Sequence, residues 1–405
     1  MTGGSNTYLG GPSDQAVIFD PATGELTGPF TMGPVDQQGN PQGEPRGAHT
    51  MVYIPPFEGA GSGHVLVIGG MTKLRLDTKR AFPFVLGNDK SSVLNDVLLY
   101  DIDANTWDDL PGEIMNSKRA FAQAGLMSDG TVIITGGGGW PSESSDDYRQ
   151  VEVFDPLKEG GAGFLPITSF EGEVARAGHS MTFLKKDENG QSHFLLWGGT
   201  MDVANAAEVL RQSSQQREGV DGSFAAVAEG GNESPFSTFF HQLTPLGDNR
   251  FLLTGGVTER TESEEDDGDL GLARDDEAWV LTYSEEPTPA LTILRAPGFG
   301  GGRVFHTAGS TDGRHVSVVG GFNTTACGDG CFDLSTITDN SIRFYDDGAS
   351  EEQWSDAADS DAFTVRGENV YPSEIDAVLN ELTDYGGEHR IIISREGAMD
   401  ELLVQ

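Results

Sequence analysis

Six Gly-Gly pairs recur along this chain, at Gly3-Gly4, Gly69-Gly70, Gly136-Gly137, Gly198-Gly199, Gly255-Gly256 and Gly320-Gly321, with spacings of 66, 67, 62, 57 and 65 residues. Self-similarity at a near-fixed period means that one supersecondary unit is repeated, and that each copy buries its apolar surface against its neighbours. The later pairs close short apolar runs, "HVLVIGG", "TVIITGG", "HFLLWGG", "RFLLTGG" and "HVSVVGG". Each run reads as a buried strand. The glycines let the chain leave that strand with positive φ and pack closely.

Two further signals keep phase with the pairs. Upstream lie "RGAHTM" (Arg46, His49), "RAGHSM" (Arg176, His179) and "RVFHTA" (Arg303, His306). In "TFFHQL" only the histidine, His241, remains, and in "RAFAQA" only the arginine, Arg119. Downstream, an apolar run leads to an aromatic residue, Asp and a turn, as in "AVIFDPATGE", "DVLLYDIDANTW", "VEVFDPLKEG" and "SIRFYDDGASEEQW". The histidines read as core residues whose ring nitrogens need partners. "DIDANTW" lacks the glycine and the terminal Glu of a calcium loop, so it reads as a plain turn into Trp107.

Together these marks resemble the Kelch repeat over about residues 1–356. The resemblance implies a β-propeller in which each repeat is one four-stranded blade. Five stretches carry a full blade, roughly 46–114, 118–172, 176–233, 236–298 and 303–356, and the first 31 residues supply outer strands only. The expected fold is therefore all-β: a propeller of five full blades plus a half blade on a six-blade plan, followed by a small α+β segment at 357–405. The half-empty blade implies exposed strand edges and self-association through them.

Composition narrows the partners. Asp and Glu number 64 against 25 Lys and Arg, a formal net charge of -39. Such a chain repels nucleic-acid phosphates and anionic membranes. No apolar stretch reaches the length of a membrane helix, and the start reads as no signal peptide. A propeller of this kind otherwise fits an extracellular or periplasmic setting, so the compartment stays open.

Strand direction alternates within a blade, so the loops between second and third strands share one face with the inter-blade connections. Most are long: Met71 to Asn95, Gly138 to Gln150, Val257 to Glu277 and Phe322 to Asn340. Insertions gathered on one face mark a binding surface. The first of them is the only basic, aromatic cluster in the chain, with Lys73, Arg75, Lys79, Arg80, Phe82 and Phe84. Trp140 offers a stacking or anchoring ring in the second. The loop from Thr261 to Glu277 is acidic, and Asp266, Asp267 and Asp269 are its weak divalent-cation candidates. Cys327 and Cys331, three residues apart with Gly328 and Gly330 between, fit a small-loop disulfide in an oxidising compartment. Kelch-like propellers also include copper radical oxidases, which need a Cys-Tyr cross-link with Tyr and His ligands. Two cysteines in one loop do not fit that pattern, and no catalytic residue or metal site is expected.

The end of the chain is of another kind. "FTVRGENVYPSEIDAVLNEL" and "HRIIISREGAMDELLVQ" resemble the small carboxy-terminal domain of AMP-forming acyl- and aryl-CoA ligases, the phenylacetate-CoA ligases above all. Arg366, Gly367, Asn369 and Pro372 match that family's core motif, and Arg395-Glu396-Gly397 with Asp400-Glu401-Leu402 match its following hairpin. The resemblance implies ATP and CoA as cofactors. The family's large adenylating domain has no counterpart in the first 350 residues, and its Arg-x-Asp hinge aligns with Ala358 and Ser360. Neither cofactor is therefore expected to bind. The reading is a non-catalytic propeller that binds a protein or carbohydrate partner through its long loops, joined to an inactive ligase fragment. The alternatives are a component of an aryl-CoA ligase, or a chimeric or partial gene product with no function of its own.

Overall fold

The computed structural model describes residues 12–19, 26–56, 61–72, 76–77, 85–86, 93–110, 112–138, 149–158, 161–169, 172, 175–200, 206–212, 220–230, 238–259, 270–273, 278–285, 288–298, 303–310, 313–319, 322–323, 342–348, 354–356, 363–365, 368–370, 391–396 and 399–404. Among these the helical elements are absent and the chain is a succession of strands.

Five antiparallel meanders of four strands follow in chain order. Blade 1 is Thr50–Ile54, His64–Ile68, Val97–Asp101 and Thr106–Asp108. Blade 2 is Gln123–Leu126, Val132–Thr135, Glu152–Asp155 and Gly163–Leu165. Blade 3 is Ser180–Lys186, Ser192–Trp197, Ala207–Gln212 and Val220–Ala226. Blade 4 is Gln242–Gly247, Arg250–Thr254, Ala278–Ser284 and Ala290–Ala296. Blade 5 is Thr307–Ser310, His315–Val319, Ile342–Asp346 and Trp354–Asp356. The first strand of each blade abuts that of the next, from blade 1 through blade 5.

Why the second strands read as unbroken apolar runs is now physical. Successive side chains of a strand point to opposite faces, and here both faces meet a neighbouring blade. Val132 and Ile134 pack toward blade 1, against Val52, Leu66 and Ile68. Ile133 between them packs toward blade 3, against Phe194 and Leu196. Leu195 and Trp197 then face Phe251, Leu253 and Trp279 of blade 4. Leu252 turns the other way, onto Val316, Val318 and Tyr345 of blade 5. The aromatic residue before each turn also has a partner: Tyr100 lies 4.8 Å from Trp107 and Tyr345 5.0 Å from Trp354, centroid to centroid.

Two connections do more than link blades. Ile167–Ser169, leaving blade 2, runs parallel to the outer strand of blade 3, and Ala228–Gly230, leaving blade 3, does the same on blade 4. The connection thus covers a strand edge that would otherwise recruit another chain. The blades number five among the described residues; where the sequence suggested a half blade of a six-blade plan there is a separate two-stranded hairpin, Gln15–Phe19 with Leu26–Thr31. Behind it Met32, fully buried, packs on Val67 and Leu98 of blade 1. The main chain ties it there: Met32 N donates to Asp14 O at 2.6 Å, and Arg46 N to Ser13 O at 3.3 Å. Beyond the propeller, Phe363–Val365 pairs with Glu368–Val370 and Ile391–Glu396 with Met399–Val404, with Arg395 opposite Asp400. The second pair is the hairpin expected from the sequence. The helical part of the α+β segment expected at 357–405 lies outside the described residues.

A seam residue should therefore matter far more than an outward one. Leu253→Ala, at a site 1% exposed, is expected to cost about 2–5 kcal/mol. Leu294→Ala, at a site 57% exposed, should stay within about 0.5 kcal/mol. Denaturant titration of the two variants checks the contrast.

Candidate binding site at the axial face

Three sequence signals meet at one end of the propeller axis. In blade 2 the buried Arg119 donates to the carbonyls of Gly136 and Gln150 and to the carboxylate of Glu152. In blade 3 Arg176 donates to Gly198 O at 2.7 Å, to Ala206 O at 2.9 Å and to Glu208. In blade 1 Arg46 reaches Gly69 O at 3.2 Å and Asp96 at 2.9 Å. Each guanidinium holds the two ends of the loop between second and third strands, so that loop varies in length without loosening the blade. Arginine suits the task because its planar fork donates in several fixed directions at once.

Blade 4 departs from this scheme in a correlated way. Thr238 stands where the other blades have Arg. Trp279, opposite Leu253, takes the place that Glu152 and Glu208 hold opposite Ile134 and Leu196. Cation and anion are absent together, which avoids an unpaired buried charge.

The Gly-Gly pair connects one blade to the next. The second glycine donates its amide to the carbonyl that opens the following blade: Gly70 to Arg119 O at 2.8 Å, Gly137 to Arg176 O at 2.7 Å, Gly199 to Thr238 O at 2.8 Å and Gly256 to Arg303 O at 2.7 Å. The first glycine admits the next blade's histidine. At Gly198, with φ of +68°, an added Cβ would lie 2.4 Å from Thr238 O and 2.7 Å from the His241 ring.

Those histidines cross the same seams. His179 Nε2 pairs with Thr135 Oγ1, His241 Nε2 with Ser180 Oγ and His306 Nε2 with Thr254 Oγ1, each at 2.9 Å. Thr238 Oγ1 adds a contact to His241 Nδ1 at 2.9 Å. Burial holds all three rings neutral: it pulls His241 and His306 down to about 3 and His179 well below the usual imidazole range, where Arg176 adds repulsion.

The residue before each histidine position points to the axis. Ala48, Phe121, Gly178, Phe240 and Phe305 are equivalent, and the four non-glycine members have φ of 54°, 57°, 60° and 56° in that order of Ala48, Phe121, Phe240 and Phe305. Gly178 shares the conformation, at 60°. Main-chain bonds run around this ring, from Phe121 N to Ala48 O, Gly178 N to Phe121 O and Phe240 N to Gly178 O. The three phenylalanine rings converge, with centroids 4.5 Å apart for Phe240 and Phe305, 4.9 Å for Phe121 and Phe240, and 5.9 Å for Phe121 and Phe305. Beside them is a cavity of about 130 Å³ whose polar wall includes Thr50, Gln123 and Gln242.

Lys73, Arg75, Lys79, Arg80, Phe82, Phe84, Trp140, Asp266, Asp267, Asp269, Cys327, Cys331, Arg366, Gly367 and Pro372 lie outside the described residues. Asn369 sits in the strand Glu368–Val370. The loops carrying the first seven are rooted on the axial face, since each second strand ends beside the start of the next blade. Sequence reasoning missed the phenylalanine cluster, although its signal is present: "RAFA", "TFFH" and "RVFH" each place Phe one residue before the histidine position.

Likenesses to known proteins fall at both the terminal segment and the propeller. The family model for the AMP-binding enzyme C-terminal domain matches residues 367–405. A fungal alcohol oxidase of the AA5 family, solved in complex with copper, has a similar fold, with a TM-score of 0.50 and 14% identity. The match covers 88% of this chain and 61% of that one, so this chain spans less than two thirds of the neighbour's length. At that identity the likeness is one of fold. A search of curated proteins gave no match. Among the described residues no three His, Cys, Asp or Glu side chains come together to hold a metal. The seam histidines direct Nε2 to hydroxyls, so the described residues do not form a copper site.

The buried neutral histidines set an acid limit on stability. Unfolded imidazole titrates near about 6.5, above all three folded values. Stability is therefore full above that pH and falls as pH drops from there toward 3, because the unfolded chain binds the extra protons. The denaturation midpoint should fall between pH 7 and 5.5, and a His241→Gln, His306→Gln variant should show a shallower fall. An equal slope in both proteins would contradict the assignment.

Proposed function

We propose that the chain is a non-catalytic, Kelch-type propeller that binds a protein or carbohydrate partner through the long loops of its axial face, and that its terminal segment is a catalytically silent relative of the ligase domain. The observation that carries this reading is the rooting of those loops. In blades 1 to 4 the second strand ends beside the opening of the next blade, and in blades 1, 2 and 3 an arginine clamps the loop base. Such an arrangement presents variable segments on a rigid frame, which is how scaffolds hold binding residues. The basic, aromatic loop around Lys73 to Phe84 has the composition of a contact site within an acidic surface.

Glycan-array and cross-linking screens should yield a partner whose affinity drops at least about tenfold when Lys73, Arg75, Lys79 and Arg80 are changed to Glu, and falls with added salt. A control changing Lys185, Lys186 and Arg211 to Glu should leave affinity unchanged. Equal loss in both variants would count against the loop face.

The match at 367–405 favours a second reading, in which the chain serves an AMP-forming ligase. ATP–pyrophosphate exchange with aryl acids separates the two. The expected result is background exchange. Exchange above background that disappears in Gly367→Ile would support the ligase reading.

A further inference from the structure

The axial ring carries side chains that the backbone path does not need. All five equivalent positions are left-handed, and Gly178 meets that requirement without a side chain. Phe121, Phe240 and Phe305 adopt the same conformation, which is unfavourable for bulky residues. Strain of this kind persists where the surrounding structure uses the group it positions. What these groups face is the axial cavity of about 130 Å³.

We propose that this cavity is a binding site for a small uncharged molecule of about six to eight non-hydrogen atoms, with aliphatic carbon on one side and hydroxyl groups on the other. Size comes first: the volume is near that of cavities known to hold a benzene-sized guest. The phenylalanine rings offer an apolar wall. Thr50, Gln123 and Gln242 offer one hydroxyl and two amides, groups that both donate and accept and so match hydroxyls in either sense. Charge excludes the rest. Among the described residues the lining holds no Asp, Glu, Lys or Arg, although the chain carries 64 acidic and 25 basic residues. His49, His179 and His241 reach the lining, and the Nε2 atoms of His179 and His241 are taken by Thr135 and Ser180 across the seams. Among the described lining residues a guest ion would find no carboxylate, ammonium or guanidinium as counter-charge. A short polyol meets all these conditions.

The test uses the full chain and two probes of similar size, erythritol and glycerate. Ligand-observed saturation-transfer NMR should show saturable erythritol binding with a Kd on the order of 1 mM. Glycerate should bind at least about tenfold more weakly. Gln123→Leu with Gln242→Leu should weaken erythritol at least about tenfold while thermal unfolding stays cooperative. If that pair fails to fold, Gln123→Asn with Gln242→Asn shortens both amides and should show the same loss. The absence of saturable binding, equal binding of glycerate, or full affinity in the folded variants would each overturn the proposal. The glutamate changes in the Lys73–Arg80 loop should leave erythritol affinity unchanged, which separates this site from the loop face.

Discussion

A buried guanidinium would ordinarily be a liability, because taking a charge out of water costs several kcal/mol unless it is paired and fully hydrogen-bonded. In this propeller it is the part on which the rest depends. Arg119 and Arg176 are almost wholly buried, and each bridges two main-chain carbonyls and a carboxylate. The carbonyls belong to opposite ends of one loop, so the ion pair fixes the loop base. It also fixes the first glycine of the pair, whose neighbour donates across the seam to the next blade. Packing within a blade and docking between blades are thereby joined at one point.

This arrangement keeps the apolar packing between blades distinct from the axial face, where we propose that recognition lies. The seams are sealed by alternating apolar residues and by histidines held neutral through burial. The axial face carries the clamped loop bases and a central cavity bounded by phenylalanine and amide groups. The cavity shares His179 and His241 with the seams, and the loop bases meet the seams at the Gly-Gly pairs. Loop lengths differ between blades on one common frame, as in folds whose units contact only their neighbours.

Much of the frame was legible because its signals are periodic. The Gly-Gly pairs recur with the blade, the Arg-x-x-His openings and aromatic-Asp turns recur in most or some of them, and the structure gives a cause for each. Legibility failed where one residue acts through geometry shared by several blades. Phe121, Phe240 and Phe305 look unremarkable singly and matter only when an axis brings them together. The parallel strands Ile167–Ser169 and Ala228–Gly230 were hidden as well, because three residues of a connection carry no periodicity. Loop chemistry posed the opposite difficulty: the residues around Lys73 and Trp140 stand out in the sequence, yet composition alone leaves their partner unspecified.

Native-state hydrogen exchange at the amides of Gly70, Gly137, Gly199 and Gly256 tests the central claim most directly, since each donates across a seam at the axial end. If these bonds and the arginine clamps make the blades one cooperative unit, all four amides should exchange through global unfolding, with a common free energy that falls together as denaturant is added. Exchange of any of them by local opening, at a lower free energy insensitive to denaturant, would show that the seams yield one at a time.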